Sequence, residues 1–273
     1  MLGKLLKHEW ESSWKIPVLL ICILIGLSLV TGCAFKLPIW ESDWIGIPIS
    51  GFMMVMTFYA GIIAAPIGVS IYMAVRFYKS MFTDEGYLTH TLPVTHHELL
   101  LSKIIIMVVW QMISALATLV AIVLFGGIFV SSFAGNEVWK ELVSTIAEAQ
   151  WAILSREEFG GWELFGAVGI VSIIASALQT TMCIVVSICL GQMLGNHRIL
   201  GAIASYMAIG MALGIVNSFI SLLTMAYAIR INASSFFAAY TPTYAITSVL
   251  YLGASVGFYF LSAYLIRRQL NLE

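Results

Sequence analysis

The chain has 273 residues, 60% of them hydrophobic and 10% charged, with a formal net charge of −1 and a mean hydropathy of +0.97. A soluble domain carries about 25% charged residues, so this composition excludes a water-soluble globular protein. The absence of a basic excess excludes a nucleic-acid binder, and what remains is an all-α polytopic membrane protein.

Leu2, Leu5, Leu6, Trp10 and Trp14 recur at helical spacing, with Lys4, Lys7, His8, Glu11 and Ser12 on the other side. The pattern predicts an N-terminal amphipathic helix over residues 1–15, lying along the lipid headgroups. Val30-Thr31-Gly32-Cys33 has the look of a lipoprotein cleavage site, but Glu9 and Glu11 do not suit a signal peptide. The following apolar run, 16–35, is therefore expected to stay as the first span; twenty residues at ~1.5 Å each reach ~30 Å, the hydrocarbon thickness.

Five further spans are expected at 51–75, 104–129, 164–194, 199–227 and 243–266. Pro66 in the second predicts a kink near residues 62–65. Trp40 and Trp44 in the loop before it read as interface anchors. Two polar interruptions stand out. Residues 76–103, RFYKSMFTDEGYLTHTLPVTHHELLLSK, hold three of the five histidines and a cluster of charges. Residues 131–162 place Val138, Leu142, Ile146, Ala149 and Ile153 at helical spacing among five glutamates, which predicts a separate amphipathic helix ended by Gly160-Gly161.

Six spans put nine Lys and Arg side chains on one face of the membrane and four on the other. The positive-inside rule then expects both termini and the 76–103 loop in the cytoplasm, with the acidic 131–162 insert outside.

The motifs of chemistry are missing. No G-x-x-x-x-G-K-[ST] phosphate loop occurs. His97-Glu98 lacks the second histidine of a zinc protease, since position 101 is Leu101. Cys22, Cys33, Cys183 and Cys189 lie in or at the end of apolar runs without metal-ligand spacing. Ser70 in the second span has no histidine in any later span to act as its base. The span interiors offer Gln111, Gln179 and Asn217 but no ionisable carboxylate or base of the kind an ion-coupled carrier needs. No catalytic residue, metal site or cofactor is expected in this chain. Gly210 and Gly214 in the fifth span and Gly253 and Gly257 in the sixth form G-x-x-x-G faces, expected to pack helices within the bundle or between subunits.

Within the polar loop, Glu85-Gly86 precedes Leu92-Pro93-Val94-Thr95, then Leu99-Leu100-Leu101 and Ser102-Lys103, with Thr95 and Glu98 at capping-box spacing. This arrangement resembles the first cytoplasmic loop of the ABC-2 type permeases, the membrane subunits of type V ABC exporters, and is most similar to the short permeases of Gram-positive bacteria. The resemblance implies that the loop holds a coupling helix docking a separate ATPase, through Tyr78, Met81, Phe82, Glu85, Gly86, Tyr87, Leu88 and Leu92. It implies ATP and Mg on that partner, a second permease subunit, identical or paralogous, and a bacterial cell membrane. It also implies export of a lipophilic or amphipathic substrate, with spans two and five facing its path. The chain departs from many members in carrying its large outer segment after span three. The competing expectation is an integral membrane scaffold, assembly factor or sensor without transport.

Overall fold

In lipid each backbone N–H and C=O needs a partner within its own segment, and the helix supplies one for every residue. The computed structural model describes residues 2–37, 46–83, 96–154, 162–193, 197–231 and 236–268. Among them there are seven α-helices and no strand: α1 Leu2–Ser13, α2 Lys15–Ala34, α3 Gly46–Phe82, α4 His96–Leu154, α5 Trp162–Gly191, α6 Arg198–Arg230 and α7 Phe236–Arg268. The six from α2 to α7 are each long and apolar enough to cross a membrane.

Several helices overrun the expected boundaries; α7 begins at Phe236, seven residues before the expected 243, and the largest differences for the polar segments are in α3 and α4. α3 continues past Val75 to Phe82, so seven residues of the polar loop are helical. It also runs through Pro66 unbroken, although proline leaves the Ile62 carbonyl without its usual donor. α4 has 59 residues, a length of roughly 90 Å against a hydrocarbon core of about 30 Å. Only His97–Ser132 has the composition of a span. The helix expected as a separate element in the insert is instead the direct continuation of α4. Gly135 is the one weak point in 131–154 and no proline follows it, so nothing there forces the backbone ladder to end.

The chain groups into two compact units. The first contains residues 10–72 and 109–149. Its core is Leu24, Phe58 and Ala121, with Ile62, Ala65 and Phe125 packed around them. α2 and α3 approach closely because two glycines on α3 accept two leucines from α2. A Cβ on Gly61 would lie 2.6 Å from Leu27 Cδ2, and one on Gly68 would lie 3.2 Å from Leu20 Cδ1. Trp10 stacks on Trp110 at 4.8 Å, and the Trp110 indole donates to Ser13 Oγ at 3.2 Å. Gln111 Nε2 donates to Ser70 Oγ at 2.7 Å, and Ser70 passes its own proton to the Pro66 carbonyl at 2.8 Å.

The other unit contains residues 1–9, 73–108 and 150–273. Its centre is α5, in which every residue from Thr181 to Cys189 is buried. A helix apolar all round belongs inside, and α6 and α7 both pack on it. Two side-chain hydrogen bonds join α5 to α7 seven residues apart: Ser172–Ser248 at 2.7 Å and Ser255 to Gln179 Oε1 at 3.1 Å. The constant offset along both chains makes α5 and α7 parallel. Gly191 lets the end of α5 meet the start of α6, since a Cβ there would lie 2.6 Å from the Ala202 backbone nitrogen.

Candidate functional site

Glu9 occupies the stripe of α1 shared with Leu5 and Leu6, at i+4 and i+3, and so turns away from the exposed face of Lys4, Lys7, His8 and Glu11. A carboxylate on such a face needs cations. It has two. Lys103, in the second turn of α4, donates to Glu9 Oε1 at 2.6 Å, and Arg76, in the last turns of α3, donates to Oε2 at 3.0 Å. The side chain of Lys103 is only 4% exposed, against 15% for Glu9 and 23% for Arg76.

Apolar neighbours set this geometry. Met73, Phe77 and Met81 are buried at four-residue intervals along the end of α3. Leu99, Leu100, Ile104 and Met107 are buried along the beginning of α4. Met73, Phe77, Ile106 and Met107 line the space beside the three charges, about 10 Å³, which is room for about one water. Water is thus largely kept from the ion pairs, and that strengthens their attraction while raising the cost of losing a partner.

Burial by itself would raise the Glu9 carboxyl. The Lys103 ammonium, through its charge and its hydrogen bond, and the Arg76 guanidinium after it, overcome that penalty and hold the group below its ordinary value of 4.5. Glu9 is therefore a permanent anion at neutral pH. The cluster is a mechanical staple that ties one residue of α1 to the two helices leading into and out of the 84–95 segment.

The residues singled out from the sequence fall into three groups. Tyr78, Met81 and Phe82 lie on α3; Tyr78 is half-buried with its ring 6.2 Å from that of Phe82, while Met81 and Phe82 are 1% and 4% exposed and packed within this chain. Glu85, Gly86, Tyr87, Leu88 and Leu92 lie outside the described residues. Gly210, Gly214, Gly253 and Gly257 face open space, with nothing within 4 Å of an added Cβ. The tight helix contacts fall at Gly61, Gly191 and Gly32 instead.

The sequence reading passed over Glu9 as a site. The signal was its place on the apolar stripe of α1; its partners, 67 and 94 residues away, carry no sequence mark. Among the described residues no group of three His, Cys, Asp or Glu side chains is arranged to hold a metal ion. Compared with family models, with curated proteins and with solved structures, the chain finds no match in any of the three.

Proposed function

We propose that this chain is the membrane subunit of an ATP-driven exporter of the ABC-2 type, moved by separate ATPase subunits and without chemistry of its own. The observation that carries the reading is the Glu9–Arg76–Lys103 cluster. It joins both helices that flank the 84–95 segment to the N-terminal helix. A force applied to that segment would then be shared by α3, α4 and α1 rather than absorbed in a loose loop. The resemblance of Glu85-Gly86, Leu92-Pro93-Val94-Thr95 and Ser102-Lys103 to the ABC-2 first loop supports the same reading.

In this proposal the ATPase, carrying ATP and Mg, grips the segment between α3 and α4 through Glu85 and the apolar Tyr87, Leu88 and Leu92, with Tyr78 at its edge. Met81 and Phe82 belong to the rigid base that receives the push, since both are already buried in their own chain. A second permease subunit completes the assembly, in a bacterial cell membrane with both termini in the cytoplasm. The cargo is lipophilic or amphipathic. The test is co-purification with an ATPase encoded beside this chain, and ATP turnover by the complex. The double variant Glu85→Arg with Leu88→Asp is expected to abolish both. If complex and turnover survive it unchanged, the docking assignment is wrong; if no ATPase accompanies the wild type at all, the scaffold or sensor reading takes its place.

A further inference from the structure

α5, α6 and α7 line a half-open cavity of about 600 Å³, within the range of small-molecule sites. It lies toward the Glu163 end of α5, the Arg230 end of α6 and the N-terminal half of α7. Phe165, Tyr240, Tyr244 and Tyr251 supply aromatic wall, and among the described residues no charged one lines it. Its polar groups divide into two kinds. Ser172 and Ser248 bond each other at 2.7 Å, one hydroxyl donating to the other, and Ser176 gives its proton to the Ile173 carbonyl of its own helix, so these three are already engaged. Asn217 takes the Thr247 proton on Oδ1 at 3.0 Å, which leaves its amide NH₂ as donor. Among the described residues no protein group is bonded to that nitrogen or to the hydroxyls of Tyr244 and Tyr251.

We propose that this cavity binds an uncharged amphiphile whose polar end accepts hydrogen bonds through ester, amide or glycosidic oxygens. The unspent donors, Asn217 NH₂ and the two tyrosine hydroxyls, meet those oxygens, and the aromatic wall takes the apolar chain. An anionic head would enter at membrane depth with no countercharge, at high cost. A cationic head would face donors. An unbranched alkyl chain alone would leave the amide unsatisfied. The site does not depend on the permease reading, because binding is measured without an ATPase.

The full-length protein, purified in nanodiscs, would be photolabelled with a monoacylglycerol bearing a diazirine in its acyl chain. A diazirine fatty acid and a diazirine lysophosphatidylcholine serve as the charged counterparts. Labelled peptides are mapped by mass spectrometry. Monoacylglycerol label is expected on residues 165–176 and 240–251, displaced by unlabelled monoacylglycerol, while the two charged probes label these peptides weakly. Asn217→Leu keeps the number and branching of the side-chain heavy atoms and should lower the displaceable label about tenfold, the loss of one hydrogen bond. Tyr251→Phe removes a single hydroxyl without touching packing and should lower it less, so the proposal stays testable if the Asn217 variant fails to fold. Equal labelling by all three probes would overturn the proposal. So would label spread without competition along the outward face of α6, at Ile203, Met207 and Met211, or label unaltered in both variants.

Discussion

Lys103 Nζ lies 2.6 Å from Glu9 Oε1, across 94 residues of sequence, with its side chain 4% exposed. The pair has an asymmetry built into it. Glu9 has a second cation in Arg76, whereas Lys103 has no second carboxylate in the cluster.

Glu9→Gln is therefore expected to cost more than Lys103→Met. The first leaves a buried ammonium without its countercharge, a loss of about 3 kcal/mol. The second leaves Glu9 paired with Arg76. The double variant Glu9→Gln with Lys103→Met should be less destabilised than the two single losses added together, because the orphaned charge is gone. Thermal unfolding of the four proteins in one detergent checks the ordering; equal losses in the two single variants would contradict it.

The cluster also sets an acid limit. The Glu9 carboxyl ionises below its ordinary value of 4.5 in the folded chain. Its stabilisation is complete above pH 4.5 and is lost as pH falls below that value through the depressed folded pKa. Wild type should lose its stability advantage over Glu9→Gln in that acid range and keep it unchanged from pH 5 to 8. A stability difference that instead vanished near neutrality would place the titration elsewhere.

Gly191→Ala should destabilise by about 1–3 kcal/mol, the cost of overpacking. Its new Cβ would meet the backbone of Ala202 and the Arg198 carbonyl, 2.6 and 2.7 Å away, and backbone cannot step aside as a side chain can. Gly210→Ala meets nothing and should be neutral or slightly stabilising in the isolated subunit, since alanine is the better helix former. If Gly210→Ala instead disrupts a purified assembly, that glycine serves a contact between subunits.

Orientation is open to labelling in intact cells. A cysteine in place of Glu148, in the extension of α4 beyond its apolar part, should react with a membrane-impermeant maleimide. One in place of His96, at the start of the same helix, should react only after the membrane is opened. The reverse pattern would invert the proposed topology.

How far the chain could be read in advance differs from residue to residue. Span one was legible almost to its ends, because an uninterrupted apolar run is a property of neighbouring residues. The continuation of α3 to Phe82 was not, because Arg76, Lys79 and Ser80 look like the start of a loop; burial of Phe77, Met81 and Phe82 holds that turn helical. The glycines divide differently from their spacing within this chain. Gly210–Gly214 and Gly253–Gly257 carry the recognisable spacing and meet no other helix of this chain among the described residues, whereas Gly61 and Gly68, seven apart and without a motif, receive leucines. A small residue permits close approach, but only a neighbouring helix makes use of it.

The long apolar runs of the sequence determined that the described residues are helical, with six segments able to span a membrane, because a helix satisfies every backbone hydrogen bond within its own segment in lipid. The tertiary structure decided the rest: that Glu9 sits half-buried between two cations, that α5 is the inner helix, and that Asn217 and Tyr251 border one cavity. Those depend on which faces meet across tens to hundreds of residues, and such meetings leave no periodicity in the chain itself.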